Sequence, residues 1–218
     1  MRLHTLAVAA SAVAATAAPA AALAAPPSPH QLSISAKPNP VVFGSSVAIT
    51  GKLTGSESGG EDVVLRDDPF PFGNFTNPTS TTTKPDGTYA FTVKPTVNTK
   101  YQAEAKSKAP ATSPELTVLV ATRVGFVVSD KTPKIGQTVA FRGRVYPPHD
   151  GQSVRLQRKS EDGWKTVATI PLVDAGDVYS FYVRKRKVTR NGTFRVVKPA
   201  DADHARGQSR TRTLTVHE

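Results

Sequence analysis

The chain of 218 residues contains no cysteine. Disulfide bonds, thiol chemistry and anchoring through a lipidated cysteine are therefore excluded. The fold has to be held together without disulfides.

Catalytic signatures are also missing. The sequence has no Gly-x-Ser-x-Gly elbow, no His-Glu-x-x-His pair and no phosphate-binding loop. His149 and His204 are the histidines best placed to act as bases, and a serine nucleophile would need one of them within hydrogen-bond reach. We expect no enzyme activity and no catalytic residues.

Acidic residues are absent before Glu57, and the chain opens with Arg2 in front of an alanine-rich stretch over residues 6–22. Small residues at Ala22 and Ala24 complete the pattern of a cleavable signal peptide. The alternative is a retained membrane helix, which Pro19 interrupts. We predict a signal peptide at 1–25 and a secreted protein with no transmembrane segment, associated with the cell envelope at most non-covalently.

The remainder repeats itself at a distance of about 92 residues. Residues 42–53 return as residues 134–145, and the motif Ile49-Thr50-Gly51-Lys52-Leu53 corresponds to Phe141-Arg142-Gly143-Arg144-Val145. We therefore predict two homologous domains, at 26–120 and 121–218, referred to below as the first and second repeat. A short linker at residues 121–123 joins them.

Each repeat has the length of one antiparallel sandwich and shows short strands with alternating apolar residues. Eighteen prolines and fifteen glycines fit a loop-rich all-β protein. The alternation predicts inward-facing side chains that recur in matching places of the two repeats. In the strand that begins near residue 89 or 179, these are Tyr89, Phe91 and Val93, and then Tyr179, Phe181 and Val183.

The second repeat resembles the bacterial immunoglobulin-like domains of secreted and cell-surface proteins, particularly those of actinobacteria. The resemblance rests on residues 151–158, on residues 163–168 with Gly163-Trp164, on residues 179–181 and on residues 192–196. It implies two tandem immunoglobulin-like antiparallel β-sandwiches. Such domains serve as spacers, adhesion modules or appendages of enzymes, so the resemblance says little about activity.

Charge separates the two repeats. Residues 26–120 hold eight Lys and Arg against eight Asp and Glu, whereas residues 121–218 hold nineteen against nine. In an immunoglobulin-like topology, many of these cations fall at the distal end of the second repeat, between strands or in turns. The predicted polyanion-binding residues are Lys131, Lys134, Arg158, Lys159, Arg184, Lys185, Arg186, Lys187 and Arg190, with Trp164 beside them.

The same topology brings acidic loops together where the two repeats meet. Oxygen ligands from several carboxylates could hold Ca²⁺ there and stiffen the tandem. The predicted ligands are Asp67, Asp68, Asp150, Asp201 and Asp203. The alternative is that they are solvated turn residues, and no other cofactor is expected.

From these features we expect a secreted, non-enzymatic adhesion or interaction module. Its basic tip, defined as the nine cations above, would bind an anionic cell-wall polymer, an acidic polysaccharide or another extracellular polyanion. No recognised module supports specific nucleic-acid recognition. The alternatives are a structural spacer or assembly subunit without a ligand and, third, a hydrolase or protease inhibitor.

Overall fold

The computed structural model describes residues 30–106 and 110–218. Within these two ranges the chain forms β-strands joined by turns and contains no helix. In the described part there is accordingly no helix of the length and apolarity needed to cross a membrane. The all-β expectation is confirmed, whereas the predicted signal peptide lies outside the described residues.

The first repeat is built from short strands in antiparallel sheets. They are β1 (Gln31–Leu32), β2 (Ser35–Lys37), β3 (Val41–Val42), β4 (Val47–Thr54), β5 (Asp62–Pro69), β6 (Thr76–Thr82), β7 (Thr88–Val93), β8 (Thr99–Ala105), β9 (Ala111–Thr112), β10 (Leu116–Val118) and β11 (Val120–Ala121). A front sheet joins β1, β2 and β7 to β4, and a back sheet has the order β10-β8-β5-β6 with β9 beside β8. The parallel pair β3 and β11 stands apart from both.

One buried cluster lies between these sheets. Ile49 and Phe91 come from the front sheet, and Leu65 and Tyr101 come from the back sheet. Because alternate residues of each strand enter the cluster, the period-two pattern of the sequence is confirmed for these strands. The first repeat is a two-layer, sandwich-like unit.

The second repeat follows the same plan with longer strands. They are β12 (Arg123–Val124), β13 (Val127–Val128), β14 (Thr138–Tyr146), β15 (Ser153–Ser160), β16 (Gly163–Pro171), β17 (Val173–Asp174), β18 (Ser180–Lys187), β19 (Gly192–Lys198), β20 (Gly207–Gln208) and β21 (Arg212–Leu214). Its front sheet contains β12 and β13 beside β14, followed by β18 and β17, and its back sheet has the order β16-β15-β19-β20 with β21 beside β19. Phe141 and Tyr182 from the front sheet share a second buried cluster with Leu156 and Phe194 from the back sheet.

The glycine-containing motif that recurs in the two repeats is explained by a tyrosine that lies opposite the glycine on the neighbouring strand. Gly51 on β4 pairs with Tyr89 on β7, and Gly143 on β14 pairs with Tyr182 on β18. Each tyrosine hydroxyl passes over its glycine and donates a 2.6 Å hydrogen bond to a main-chain carbonyl on the far side, that of Ser33 or of Gly125. A Cβ on either glycine would overlap both the hydroxyl and that carbonyl. The motif therefore needs glycine for space rather than for backbone freedom.

This motif also corrects one sequence expectation. Tyr179, Phe181 and Val183 were predicted to face inward, but Ser180 and Tyr182 are the fully buried residues of this segment and Val183 is exposed. Aromatic residues occupy both faces of β18, so alternation alone cannot choose between them. Gly143 decides the register, because it leaves room for Tyr182.

The two repeats contact each other directly. Residues 121–123 are a linker only in part, since Ala121 ends β11 and Arg123 begins β12. Asn98 of the first repeat donates its main-chain N–H to the carbonyl of Asp203 in the second. Main-chain N–H groups of Thr122 and Ala205 complete a ladder with the carbonyls of Ala205 and Val120. The junction is thus a hydrogen-bonded contact rather than a bare tether.

Candidate functional sites: the basic tip and the junction

The densest run of charge lies on a strand. Arg184, Lys185, Arg186 and Lys187 form the last half of β18, so the prediction that they lie between strands or in turns is wrong. All four side chains are exposed. The misplacement arose because a run of cations resembles a loop in sequence, whereas main-chain pairing with β14 continues to the final residue, Lys187 opposite Thr138.

The four cations alternate between the two faces of the front sheet. Arg184 pairs with buried Phe141 and Arg186 with buried Val139, which places both arginines on the inner row. They are exposed nonetheless, and Arg186 reaches the back sheet to donate to the carbonyl of Val167. Lys185 and Lys187 take the outer face.

Three arginines crowd the open end of the second sandwich. Arg158 on β15 is half-buried and donates to the carbonyl of Asn191. Burial, followed by repulsion from Arg190 and Arg186, lowers the pKa of Arg158 below its ordinary value. Guanidinium groups that repel each other at one place favour any anion that can lie between them.

The loop before β14 belongs to the same end. Main-chain hydrogen bonds join Gly136 to Val188, directly after β18, and Lys131 to Thr215 near the last residues. Lys134 stands beside His217 in a parallel bridge. The structure therefore brings Lys131 and Lys134 to the end of the sheet where β18 finishes, as the sequence predicts.

Trp164 lies on the outer face of the back sheet. It pairs with Lys159 across the β15–β16 hairpin, and the guanidinium of Arg195 covers its ring at 4.2 Å. The tryptophan adjoins the basic tip through Lys159, but one face of its ring is already occupied. Arg195 was not among the predicted residues, although its alternation with Phe194 and Val196 on β19 would have placed it outward.

The outer face of the front sheet carries further cations that the sequence analysis missed. Arg142 and Arg144 alternate with buried residues on β14. Arg144 lies over the ring of Tyr179 at 4.4 Å, and Arg123 lies over Tyr146 at 4.0 Å. Arg142 and Arg144 continue the outer row that begins with Lys187 and Lys185. The signal was available in the alternation of residues 139–145.

Positive charge predominates in the front sheet of the second repeat. The strands β12, β13, β14, β17 and β18 contain seven Lys and Arg and a single acid, Asp174. Within the described ranges, no cation of the basic tip forms an ion pair with a carboxylate. A shallow depression of about 430 Å³ lies beside Arg158, Lys159 and Arg190, and its two acids are Glu161 and Asp162. Asp162 is paired with Lys165.

A second cluster of functional groups lies at the junction. His149 follows β14, and Asp201, Asp203 and His204 lie between β19 and β20. One nitrogen from each histidine and one oxygen from each aspartate lie within 4.8 Å of one another. Both imidazoles are buried, with 3% of the His149 side chain and 1% of the His204 side chain exposed.

Lys198 provides the charge that balances Asp201. Its buried ammonium group donates a 2.7 Å hydrogen bond to Asp201 Oδ2 and another to the carbonyl of Pro199. Burial raises the pKa of Asp201, but the hydrogen bonds from Lys198, Asp203 and the main chain of His204, together with the charge of Lys198, outweigh that effect and leave the pKa below its ordinary value. Burial lowers the pKa of His149, so its neutral form is favoured.

The five aspartates predicted to bind calcium fall into two groups: two belong to the junction cluster, and three are outside it and accept hydrogen bonds from other groups. Asp201 and Asp203 belong to the junction cluster. Asp67 accepts a hydrogen bond from the Asn77 amide, and Asp68 accepts one from the main chain of Gly73. Asp150 accepts from the Ser180 hydroxyl. The structure thus assembles a mixed nitrogen and oxygen donor set, and sequence reasoning missed His149 and His204 as members of it.

Comparison with known proteins gives no further guide. No protein-family model matches the chain, and no curated protein matches it significantly.

Proposed function

We propose that the protein is a secreted, non-enzymatic tandem of two immunoglobulin-like sandwiches that binds a linear extracellular polyanion through the second repeat. The observation that carries the proposal is the charge of one sheet. Seven cations against one acid face either the open end or the outer surface of the front sheet. A surface of one sign attracts phosphate, sulfate or carboxylate groups and releases their counterions.

The arrangement of the cations supports a chain-like ligand. Lys187, Lys185, Arg142 and Arg144 follow one another along the outer row of β14 and β18. At roughly 3.3 Å per strand residue, this row extends for about 20 Å. A polymer with regularly spaced anions can contact such a row at several points, which a single small anion cannot do. The anionic cell-wall polymers and acidic polysaccharides of the cell surface have this chemistry.

The histidines support a binding role rather than a hydrolytic one. His149 and His204 are buried, and each has one ring nitrogen engaged by a main-chain carbonyl, of Pro147 and Thr96 respectively. A general base for a serine nucleophile would need a free nitrogen at an accessible surface. We therefore propose no catalytic role for either residue.

A spacer without a ligand is the second candidate, and the hydrogen-bonded junction favours it. A rigid contact through Asn98 and Asp203 is what a spacer requires. The two candidates differ in their dependence on the basic tip. A spacer has no need of the uncompensated cations on β18.

The test uses inorganic polyphosphate and polygalacturonate as linear probes of two anion types. Reversal of Arg184, Lys185, Arg186 and Lys187 to Glu should weaken binding by at least about a hundredfold. The matched control reverses four exposed lysines of the first repeat, Lys37, Lys52, Lys84 and Lys94, and has the same net charge. The control should bind nearly as well as the parent. An equal loss of affinity in both variants would show that the probes respond only to net charge. Binding that persists after the four cations of β18 are reversed would favour the spacer.

A further inference from the structure

We propose that His149, His204, Asp201 and Asp203 form a binding site for one zinc-class divalent metal ion at the junction of the two repeats. The proposal rests on how the two imidazoles are oriented. It is independent of the basic tip, which lies at the opposite ends of β14 and β18.

The hydrogen-bond partners assign the tautomer of each ring. His149 Nδ1 lies 2.8 Å from the carbonyl oxygen of Pro147, and His204 Nε2 lies 2.9 Å from that of Thr96. A carbonyl oxygen only accepts hydrogen bonds, so both of these nitrogens carry the proton. In a neutral ring the other nitrogen then presents a lone pair.

Both lone pairs face carboxylate oxygens. His149 Nε2 lies 3.3 Å from Asp201 Oδ2, and His204 Nδ1 lies 3.2 Å from Asp203 Oδ1. Despite these distances, neither nitrogen has a hydrogen-bond partner among the described residues. The two nitrogens are buried acceptors that have lost water without gaining a donor, and each faces another acceptor, which is unfavourable. A cation between them removes the conflict.

The spacing of the donors fits a small tetrahedral ion. Nitrogen and oxygen ligands lie about 2.0–2.2 Å from Zn²⁺, which puts neighbouring donor atoms about 3.3 Å apart. The nitrogen-to-oxygen distances of 3.2 and 3.3 Å match this value. Two imidazole nitrogens distinguish the site from a calcium site, because Ca²⁺ takes oxygen ligands.

The surroundings resemble those of metal ligands in general. A ligating histidine usually donates its other N–H to a carbonyl or carboxylate, and a ligating carboxylate is itself hydrogen-bonded. Here both histidines donate to carbonyls, while Asp201 accepts from Lys198 and from the main chain of His204. The Asp203 side chain is 39% exposed and provides a path for entry. Four protein donors leave no open position, which is typical of a structural site.

The site would clamp the two repeats. The carbonyl that orients His204 belongs to Thr96 of the first repeat, and the Asp203 carbonyl accepts from Asn98 of the same repeat. An ion held by His204 and Asp203 would fix the loop between β19 and β20 against the first repeat. Metal binding should therefore raise the melting temperature of the whole protein by mass action.

The test is a Co²⁺ titration of the chelator-treated protein. We expect saturation at one ion per chain, visible absorption of tetrahedral Co²⁺ and displacement by Zn²⁺ but not by millimolar Ca²⁺. Asp203→Asn, which keeps the shape of an exposed side chain and the main-chain bond to Asn98, should weaken Co²⁺ binding by at least about tenfold. It should also abolish the Zn²⁺-induced rise in melting temperature.

Two matched variants guard against adventitious binding. Asp150→Asn makes the same chemical change at the same end of the repeat, and His217→Gln removes an exposed histidine. Both should bind Co²⁺ as the parent does. The proposal is overturned if the parent protein shows no saturable Co²⁺ binding, if Ca²⁺ displaces the ion, or if Asp203→Asn binds as well as Asp150→Asn.

Discussion

In the first repeat, Phe91 and Val93 continue the inner row of β7 beyond Tyr89, whereas Arg184 and Arg186 take the matching positions on β18. Phe91 is buried, and both arginines are exposed. The two strands pair with their neighbours in the same register around the same glycine and tyrosine. The fold can therefore be built with apolar residues at these positions, and the arginines have to be explained by something other than folding.

The outer faces of the two front sheets also differ, and again the second repeat carries more positive charge. The front sheet of the first repeat contains two lysines and no acid, and that of the second contains seven cations. Thr50 and Thr92 of the first repeat correspond to Arg142 and Lys185 of the second. The same scaffold thus has a nearly neutral front sheet in the first repeat and a strongly basic one in the second. This difference is expected if the second repeat is specialised for binding.

The largest expected effect tests what the repeats share. Gly143→Ala should lower the free energy of unfolding by about 3 kcal/mol, because the new methyl group overlaps the Tyr182 hydroxyl and the Gly125 carbonyl. Gly51→Ala should have a similar effect through Tyr89 and Ser33. Chemical denaturation measures both. A loss in one variant and none in the other would contradict the common scaffold.

The next effect tests a place where the repeats differ inside the molecule. Lys198 occupies the register position that Ala105 holds in the first repeat, and both side chains are buried. Lys198→Met should destabilise the protein by about 2 kcal/mol, since Asp201 loses the buried ammonium group that offsets its charge. The double variant Lys198→Met with Asp201→Asn should recover part of this loss. Full stability in the single variant would show that the pair contributes nothing.

A smaller effect is expected when two residues of the second repeat are replaced by apolar residues like those of the first. Arg184→Phe with Arg186→Val should raise the free energy of unfolding by about 1 kcal/mol, because apolar side chains extend the inner row and relieve repulsion near Arg158. The same variant should bind polyphosphate about tenfold more weakly. Thermal unfolding and a binding titration measure the two changes. Lower stability would mean that the arginines serve the fold after all.

The smallest effect concerns the tryptophan. Trp164→Ala should change polyphosphate affinity by less than about twofold, since Arg195 already covers one face of the ring. A loss of tenfold at unchanged charge would instead show that the ligand stacks on Trp164, as a sugar ring would. Affinities for polygalacturonate and polyphosphate distinguish these outcomes.

Much of this architecture could be predicted from the sequence, and the exceptions have physical causes. The repeated Gly-containing motif and the period-two pattern lead to all-β sheets, because main-chain geometry ties alternation to strands. The register of β18 could not be predicted, since Phe181 and Tyr182 offer apolar side chains to both faces. Only the space above Gly143 decides between them.

The junction cluster was beyond sequence reasoning for another reason. His149 and His204 lie 55 positions apart in loops, and their ring orientations depend on carbonyls of Pro147 and Thr96. The repeat pattern predicts that these loops share one end but says nothing about the direction of a lone pair. Asp201 and Asp203 were found because charged loops are visible in sequence. The buried nitrogens that complete the set are not.

The most direct test of the account is the salt dependence of polyphosphate binding, because its slope counts the charges that the ligand neutralises. Neutralising Arg184, Lys185, Arg186 and Lys187 to Gln should reduce the slope of log K against log salt concentration by about three. Neutralising Lys37, Lys52, Lys84 and Lys94 to Gln should leave it unchanged. If the two variants lose the same slope, the polyanion responds only to net charge, and the claim that the second repeat carries the binding surface is wrong.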